Sequence, residues 1–238
     1  MAEKPTRRAG EIKGLDEEAA SSLRVISLEQ NVLEANELVA SKNREVFRRC
    51  GIYVLNLISA PGAGKTSLLV ETLQHLKDEL RCAVIEGDQQ TSHDAQRIAE
   101  TGVPVVQINT QGGCHLNAAQ VRRALDDLPI ESLDLLFIEN VGNLVCPSNF
   151  DLGENEKVAI MSITEGEDKP VKYPLAFHLA RLLVLTKIDL LPHLRFDLDL
   201  CKKYARRVNP QIEIIETSVF DEGGLEDWLA ALRQRVRK

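Results

Sequence analysis

Residues 53–67 read Tyr-Val-Leu-Asn-Leu-Ile-Ser-Ala-Pro-Gly-Ala-Gly-Lys-Thr-Ser, and this stretch decides the fold. Residues 53–58 are a short apolar run with the length of a buried strand. A loop with two glycines follows, and from Lys65 onward leucines recur at helical spacing. A strand, a glycine loop, Lys-Thr and a helix, in this order, are the context of a phosphate-binding loop (P-loop).

The P-loop prediction rests on the groups that such a loop directs toward an anion. Backbone N–H groups of the loop and of the helix N-terminus face an anion. The pattern G-x-x-x-x-G-K-[ST] has Ser59 at its first position here, so the match is one residue short. An ordinary glycine-rich turn is the alternative, but the flanking strand and helix favour a nucleoside triphosphate site. We expect its contacts to come from Gly62, Ala63, Gly64, Lys65, Thr66 and Ser67, with the Thr66 hydroxyl also binding Mg²⁺.

Composition limits the function classes. The net charge of −7 argues against nucleic acid or an anionic membrane as the main partner. The sequence has no apolar run of membrane-spanning length and does not begin like a signal peptide. Five cysteines at scattered spacings suit a reducing compartment better than a disulfide framework. We therefore expect a cytoplasmic protein with no nucleic-acid and no membrane partner.

The order of segments predicts the domain organisation. Residues 1–22 are polar and charged and are predicted to be a disordered tail. Residues 23–51 are predicted to be an N-terminal helical segment, in which Ser27 caps a helix. Residues 52–238 are predicted to be one P-loop domain. Its near-continuous apolar strands, separated by helices, indicate an α/β fold with a mostly parallel sheet covered on both faces. Ligands of such a sheet bind at the carboxyl ends of its strands.

Two residues after the predicted strand 133–138 suit the phosphate end of a nucleotide. Glu139 is expected to hold the Mg²⁺ shell, and Gly142 to turn its amide toward a γ-phosphate. A strand end with a solvated acid is the alternative.

An acid after the predicted strand 82–85 suits the first switch loop. Asp88 is expected to position Mg²⁺ or the attacking water and, with Lys65, is the predicted catalytic residue. Asp94 is the second candidate for this role, because its place at the start of the next helix is typical of an N-cap.

Two strand ends near the C-terminus indicate guanine recognition. Asp189 can accept two N–H donors of a guanine edge while the Lys187 stem packs along the purine plane. The G-protein pattern N-K-x-D has Thr186 in place of its Asn here, which weakens base specificity. Thr217 and Ser218 occupy the stretch where G proteins close over the base with backbone amides. In this order after a P-loop, these residues favour GTP over ATP.

Two thiols and an imidazole form a candidate metal site. Cys114 and His115 are adjacent, and Cys146 lies in a separate loop that also contains Glu139. Sulfur and imidazole ligands suit Zn²⁺ or Ni²⁺, and three ligands leave room for water or a second subunit. Buried cysteines and a turn-bonding histidine are the alternative. A nucleotide-driven shift of the loop from Glu139 to Cys146 would change the ligand set.

The other cysteines, at positions 50, 82 and 201, are interpreted as packing residues. Residues 165–170 are interpreted as a charged loop. Its Lys169 and the nearby Lys172 are kept as residues that reach a neighbour's phosphate if the protein dimerises.

The combination of motifs resembles one family, HypB, the hydrogenase nickel-incorporation GTPases. The resemblance runs from about Asn31 to the C-terminus. It is carried by Ala35-Asn36, Asn43-Arg44-Glu45, NLISAPGAGKTS (56–67), EGDQQTSHDAQR (86–97), GCHL (113–116), ENVGNLVCP (139–147), TEGEDKPVKYP (164–174) and TKIDLLP (186–192). Gly-Cys-His followed by ENVGNLVCP is the specific part.

The resemblance implies a metallochaperone GTPase that binds GTP or GDP with Mg²⁺ and forms a homodimer in its GTP state. It implies a Ni²⁺ or Zn²⁺ site at the dimer interface from the residues matching Cys114, His115 and Cys146. Its implied partners are a HypA-type nickel chaperone and the hydrogenase large subunit. Some family members carry an N-terminal Cys-rich or His-rich nickel tract, and residues 1–22 contain neither Cys nor His. Thr186 is the second departure.

Three alternative functions remain open from the sequence. A UreG-like urease nickel GTPase shares the P-loop but uses a Cys-Pro-His metal motif that is absent from this sequence. A nucleotide-dependent kinase or ligase would use Asp88 to activate a small-molecule acceptor. A metal-binding module with a vestigial GTPase would bind nickel without turnover.

Overall fold

The computed structural model describes the backbone of residues 17–237 and the side chains of residues 31–237. The chain divides into two compact units, Met1–Ala35 and Asn36–Lys238. The division falls within the first helix, α1 (Glu17–Cys50). In the first unit the described part is the beginning of α1. Residues 1–16, most of the predicted tail, lie outside the described residues, and the predicted domain bounds stay predictions.

The predicted start of the first helix is wrong. α1 begins at Glu17, so the last residues of the predicted tail are helical and Ser27 lies inside the helix. Two glutamates and two alanines at positions 17–20 explain the earlier start, because acidic residues stabilise a helix N-terminus and alanine favours helix.

Seven strands form one sheet in the order β3-β2-β4-β1-β5-β6-β7. The strands are β1 (Tyr53–Ser59), β2 (Cys82–Asp88), β3 (Val105–Asn109), β4 (Leu135–Glu139), β5 (Glu156–Ser162), β6 (Ala180–Thr186) and β7 (Glu213–Glu216). The pairings between neighbouring strands are parallel throughout this sheet. The predicted parallel α/β fold is confirmed.

Helices follow most strands. They are α2 (Lys65–Leu76), α3 (His93–Ala99), α4 (Ala118–Ala124), α5 (Cys146–Asn149), α6 (Lys169–Lys172), α7 (Pro174–Leu179), α8 (Leu198–Val208) and α9 (Glu226–Val236), with 3₁₀ turns at Leu125–Asp127, Ile130–Ser132 and Ile188–His193. The sequence did not predict α5, α6 and α7, which are too short for apolar periodicity to be read. Each has proline in its first turn, which fits a helix start. Within the described residues, no helix has the length and apolar character needed to cross a bilayer.

Both faces of the sheet are buried. Leu55 and Leu57 of β1 lie in the same apolar cluster as Leu69 of α2 and Trp228 of α9. The Trp228 Nε1–H donates to Thr72 Oγ1 across this cluster at 2.8 Å. On the other side, Phe47 of α1 shares a second cluster with residues of β1, β2, β4 and α4. A strand buried on both faces explains why residues 53–58 read as one continuous apolar run.

The parallel sheet brings the predicted site residues to one edge. β1 runs into the P-loop from the centre of the sheet, between β4 and β5. β2 ends at Asp88, β4 at Glu139 and β6 at Thr186. These carboxyl ends meet at the same edge, where ligands of doubly wound sheets bind.

Candidate functional site

The P-loop borders a pocket of about 510 Å³. Gly64 has φ +89° immediately before α2, and Gly62 has φ +76°; L-residues rarely adopt either value. The loop therefore turns its backbone toward the helix N-terminus, which attracts anions. The pocket is lined by residues 61–67 of the loop and by Asp88, Gln89, Asp94, Arg97, Val141, Gly142 and Lys187.

Glu139 lies beneath the P-loop and contacts the two residues that open α2. Its Oε1 accepts a hydrogen bond from Thr66 Oγ1 at 2.7 Å and lies 3.6 Å from Lys65 Nζ. Burial raises the pKa of Glu139, although the Lys65 charge and the Thr66 hydrogen bond act in the opposite direction. Its Oε2 is buried without a hydrogen-bond partner among the described residues. A hydroxyl and a carboxylate with a free oxygen suit Mg²⁺, so the residues present fit that ion.

Glu86, which the sequence reading did not single out, lies beside Glu139. The two residues are register partners on neighbouring strands β2 and β4. Burial, followed by the charges of Glu139 and Asp88, raises the pKa of Glu86 to about 8. The available signal was an acid inside an otherwise apolar strand, Cys-Ala-Val-Ile-Glu.

Asp88 ends β2 with its carboxylate turned into the following loop. It accepts hydrogen bonds from the backbone N–H groups of Gln89 at 2.5 Å and Thr91 at 3.1 Å. Burial acts to raise the pKa of Asp88, but the hydrogen bonds from Thr91 and Gln89 outweigh it and the pKa is lowered. The carboxylate is thus held in its charged form at the edge of the pocket.

The N-cap interpretation of Asp94 is wrong. α3 is preceded by Ser92, and Asp94 lies within the first turn, where an acid interacts favourably with the helix dipole. Asp94 also lines the pocket at the P-loop. Its Oδ1 lies 3.5 Å from Arg97 Nη1, and Arg97 Nη2 donates to Ser67 Oγ at 3.0 Å. The sequence reading missed Arg97 as a pocket cation, because only the fold brings it to the P-loop.

The predicted base-binding residues are joined to the P-loop and to one another. Thr186 Oγ1 donates to the Ala63 carbonyl at 2.6 Å, and Lys187 Nζ donates to the Gly62 carbonyl at 2.8 Å. On the next strand end, Ser218 Oγ donates to Asp189 Oδ1 at 2.7 Å. Thr217 is buried, and its backbone N–H donates to the Leu185 carbonyl at 2.7 Å.

Gly142 approaches the P-loop closely. A Cβ at this position would lie 3.2 Å from Pro61 Cα. A larger residue would therefore push the loop after β4 away from the P-loop.

The three predicted metal ligands come together. The ligand atoms of Cys114, His115 and Cys146 all lie within 4.8 Å of one another, and no other such group occurs in the part of the chain that the structure describes. A hydrogen bond with Cys146 and burial raise the pKa of Cys114, while burial lowers the pKa of His115. The lowered pKa favours the neutral imidazole that binds metals. Two sulfurs and a nitrogen fit Ni²⁺ or Zn²⁺.

Phe150 and Asn140 connect the predicted metal ligands to the rest of the fold. The His115 ring stacks on Phe150 with centroids 3.8 Å apart. Asn140, next to Glu139, accepts a hydrogen bond on Oδ1 from the Leu116 backbone N–H at 3.0 Å. The Asn140 side chain therefore links the strand end that carries Glu139 to the loop that carries Cys114 and His115.

The remaining candidates have local partners. Lys169 Nζ lies 3.3 Å from Glu165 Oε2, and Lys172 Nζ lies 2.7 Å from Asp168 Oδ2. The predicted charged loop 165–170 thus passes into α6. Cys82 and Cys201 are buried and Cys50 is half-buried, which fits their interpretation as packing residues.

Comparisons with known proteins cover most of the chain. A family model described as the CobW/HypB/UreG nucleotide-binding domain matches residues 53–216. The chain is 56% identical over 218 residues to hydrogenase maturation factor HypB of Azotobacter chroococcum, covering 90% of this chain and 71% of that protein.

Two solved structures resemble the fold closely. HypB from Helicobacter pylori in complex with nickel has a TM-score of 0.81 at 38% identity, covering 85% of this chain and 95% of that one. HypB from Archaeoglobus fulgidus has a TM-score of 0.80 at 36% identity, covering 85% of this chain and 99% of that one.

Proposed function

Because the chain belongs to the HypB family of hydrogenase maturation factors, within the CobW/HypB/UreG nucleotide-binding proteins, we propose that it is a GTP-hydrolysing nickel metallochaperone. In this role it couples its nucleotide state to dimerisation and to Ni²⁺ or Zn²⁺ binding during maturation of a nickel-containing hydrogenase. The observation that carries the proposal is the approach of the Cys114, His115 and Cys146 ligand atoms to within 4.8 Å. A relative from Helicobacter pylori has a structure in complex with nickel, which supports nickel as the cargo.

The nucleotide in this proposal is GTP. Asp189 takes the guanine edge, oriented by its hydrogen bond from Ser218, and the Lys187 stem covers the base. Thr217 and Ser218 follow β7 and supply backbone groups on the far side of the base. Residues 62–67 hold the phosphates through backbone N–H groups and the Lys65 charge, and Gly142 offers its amide to the γ-phosphate.

The acids near the P-loop would support hydrolysis of the bound nucleotide. Thr66 and Glu139 would hold Mg²⁺, and Asp88 in the first switch loop would position either the ion or the attacking water. When bound, the ion neutralises charge on the β- and γ-phosphates. The water oxygen bonds to the γ-phosphorus, the bond to the β–γ bridging oxygen breaks, and the proton of the water ends on phosphate. Lys65 stabilises the developing charge.

The metal site is incomplete without a further ligand, and a homodimer in the GTP state would complete it. An exposed apolar patch next to Cys146 supports this part of the proposal. Val145, which precedes α5, is 54% exposed, and Leu175 and Leu179 lie on one face of α7, which packs against α5. Exposed patches of this kind mark protein–protein contact sites. The family also suggests a HypA-type nickel chaperone and the hydrogenase large subunit as partners.

The first test is titration of the purified protein with Ni²⁺ and Zn²⁺, with parallel sedimentation, in GDP and in a non-hydrolysable GTP analogue. We expect both metal affinity and dimer content to differ between the two nucleotides. Identical metal binding in both states would overturn the coupling, and the site would then be structural or incidental.

Two variants separate the hydrolytic and metal parts of the proposal. Lys65→Ala is expected to abolish GTP hydrolysis while leaving the metal ligands unchanged. Cys146→Ala is expected to weaken Ni²⁺ binding and remove its dependence on nucleotide. Equal Ni²⁺ affinity in wild type and Cys146→Ala would rule out the metal assignment, and label transfer from [γ-³²P]GTP to a metabolite rather than to water would indicate a kinase.

A further inference from the structure

Two loops carry the metal ligands, and one helix joins them. The Asn36 side chain on α1 bridges the loops: its Oδ1 accepts a hydrogen bond from the Ala118 N–H at 2.8 Å, and its Nδ2 donates to the Asp151 carbonyl at 2.7 Å. Ala118 begins α4, three residues after His115, and Asp151 follows Phe150, on which His115 stacks. A single amide thus links the start of α4, just after the Cys-His loop, to the residues just after α5, which begins at Cys146.

Asn43 makes a second bridge between the same segments. Its Nδ2 donates to the Ala118 carbonyl at 2.9 Å and to the Leu152 carbonyl at 3.0 Å, and the residue is fully buried. Asn36 and Asn43 are seven positions apart, about two helical turns, so they lie on one face of α1. Between them they satisfy both backbone groups of Ala118, which is buried and cannot rely on water.

The loop after Phe150 lies directly against α1. A Cβ at Gly153 would come within 2.7 Å of the Ala40 carbonyl oxygen, so only glycine fits this contact. Arg44 also donates to the Asp151 carboxylate. Residues 151–153, which directly follow the short helix α5 that begins at Cys146, are therefore held on α1 by side-chain amides, an ion pair and close backbone contact.

We propose that Asn36 and Asn43 are positioning residues of the metal site. They fix the separation between Cys114 and His115 on one loop and Cys146 on the other, and they thereby set the affinity for a thiolate- and imidazole-bound divalent ion. This inference rests on the proposed metal function. Residues that orient metal ligands without touching the metal typically change metal affinity about 10- to 100-fold when altered.

The test uses Asn43→Asp, which keeps the side chain's size but replaces both donors by an acceptor that faces two carbonyls. The matched control is Asn209→Asp. The Asn209 Nδ2 likewise donates to backbone carbonyls, of Ala180 at 2.8 Å and of Phe177 and His178 at 3.2 Å, in a part of the fold without metal ligands. Both variants are expected to lose stability, so a change confined to Asn43→Asp reports positioning rather than folding.

Two measurements on the full chain test the proposal. The first needs no metal: dibromobimane joins Cys114 to Cys146 when their thiols are adjacent, and peptide mapping gives the rate. We expect at least a fivefold slower rate in Asn43→Asp than in Asn209→Asp. The second is Ni²⁺ titration by the thiolate-to-nickel absorption band, where we expect about tenfold weaker binding and a shifted band in Asn43→Asp alone.

A milder variant covers the case in which Asn43→Asp does not fold. Asn36→Asp keeps the acceptor for the Ala118 N–H and loses only the donor to Asp151, so a smaller change in the same direction is expected. Crosslinking rates and Ni²⁺ affinities equal to those of Asn209→Asp would overturn the inference. If Cys146→Ala weakens Ni²⁺ binding while the α1 variants do not, only this inference fails; if Cys146→Ala changes nothing, the metal function itself fails.

Discussion

At the scale of single residues, Thr186 has a role that its place in the base-recognition pattern does not reveal. The sequence reading treated it as a departure from N-K-x-D. In the fold, its buried hydroxyl donates to the Ala63 carbonyl of the P-loop at 2.6 Å. The P-loop is thus tied to the strand that leads to the proposed base-binding residues.

Thr186→Val removes this bond and leaves the Ala63 carbonyl without its donor. An unpaired buried acceptor costs about 1–3 kcal/mol, and we expect GDP binding to weaken by about tenfold, since 1.4 kcal/mol is a factor of ten. Titration with a fluorescent GDP analogue measures this. Thr101→Val is the control, because its hydroxyl donates to the Ile98 carbonyl at 2.6 Å outside the pocket. Equal GDP affinity in the two variants would contradict the role of Thr186.

Glu154 is a buried acid whose charge is stabilised by three donors. It accepts hydrogen bonds from Lys157 Nζ at 2.7 Å, from Asn56 Nδ2 at 3.1 Å and from the Leu152 N–H at 2.7 Å. Burial acts to raise the pKa of Glu154, but the Lys157 charge and these hydrogen bonds outweigh it, and the pKa is lowered. The stabilisation is therefore present above the unfolded-state pKa and is lost as pH falls through the folded-state pKa.

Glu154→Gln is expected to lower the free energy of unfolding at pH 7 by about 3 kcal/mol, because the buried Lys157 loses its anionic partner. The variant should also lose less stability than wild type between about pH 5 and pH 3, the range in which Glu titrates. Urea unfolding followed by Trp228 fluorescence measures both. Adding Lys157→Met should recover much of the loss, and a Glu154→Gln variant as stable as wild type at pH 7 would disprove the account.

At the scale of elements, the contact between α1 and the loop at Gly153 depends on a missing side chain. Gly153 has φ +94°, and an added Cβ would lie 2.7 Å from the Ala40 carbonyl oxygen and 2.7 Å from Asn43 Cβ. Gly51, just after the same helix, has φ +69°, and no described atom lies within 4 Å of its added Cβ. Comparing substitutions at the two glycines therefore distinguishes the cost of backbone strain from the cost of steric overlap.

Gly51→Ala is expected to cost about 1 kcal/mol through strain alone. Gly153→Ala adds overlap with the helix backbone and should cost about 3 kcal/mol or more. Thermal and urea unfolding of both variants measure the difference. Similar losses in the two variants would mean that the loop yields without disturbing α1.

At the scale of the whole molecule, the exposed apolar patch of Val145, Leu175 and Leu179 fits an interface between two copies of the chain. Leu175→Glu is expected to weaken dimerisation in the GTP analogue at least about tenfold, because a charge would be buried in the interface. Monomer stability should change by less than about 0.5 kcal/mol, as for other surface substitutions.

Sedimentation equilibrium measures the dimer, with Leu194→Glu as the control at similar exposure. Unchanged dimerisation in Leu175→Glu would place the interface elsewhere. A wild-type protein that stays monomeric in the analogue would instead rule out the proposed GTP-state dimer.

Much of the fold was readable from local patterns. Strands β1, β2 and β4 are largely apolar runs, and the helix after β1 shows leucines at helical spacing, because a parallel sheet buries both strand faces and one helix face. The candidate site residues were found where polar residues follow such strands. The start of α1, the short helices α5 to α7 and the place of Asp94 were missed, since end effects and single turns carry little periodic signal.

By itself, the sequence determined the parallel α/β fold, the P-loop, the strand-end residues and the family, because each has a local pattern of a few consecutive residues. Only the tertiary structure decided which side chains hold these parts together. Asn36 reaches Asp151 across 115 positions and Lys187 reaches Gly62 across 125. Bonds between such distant positions leave no periodic trace in the sequence, since their geometry exists only after the strands have been ordered into one sheet.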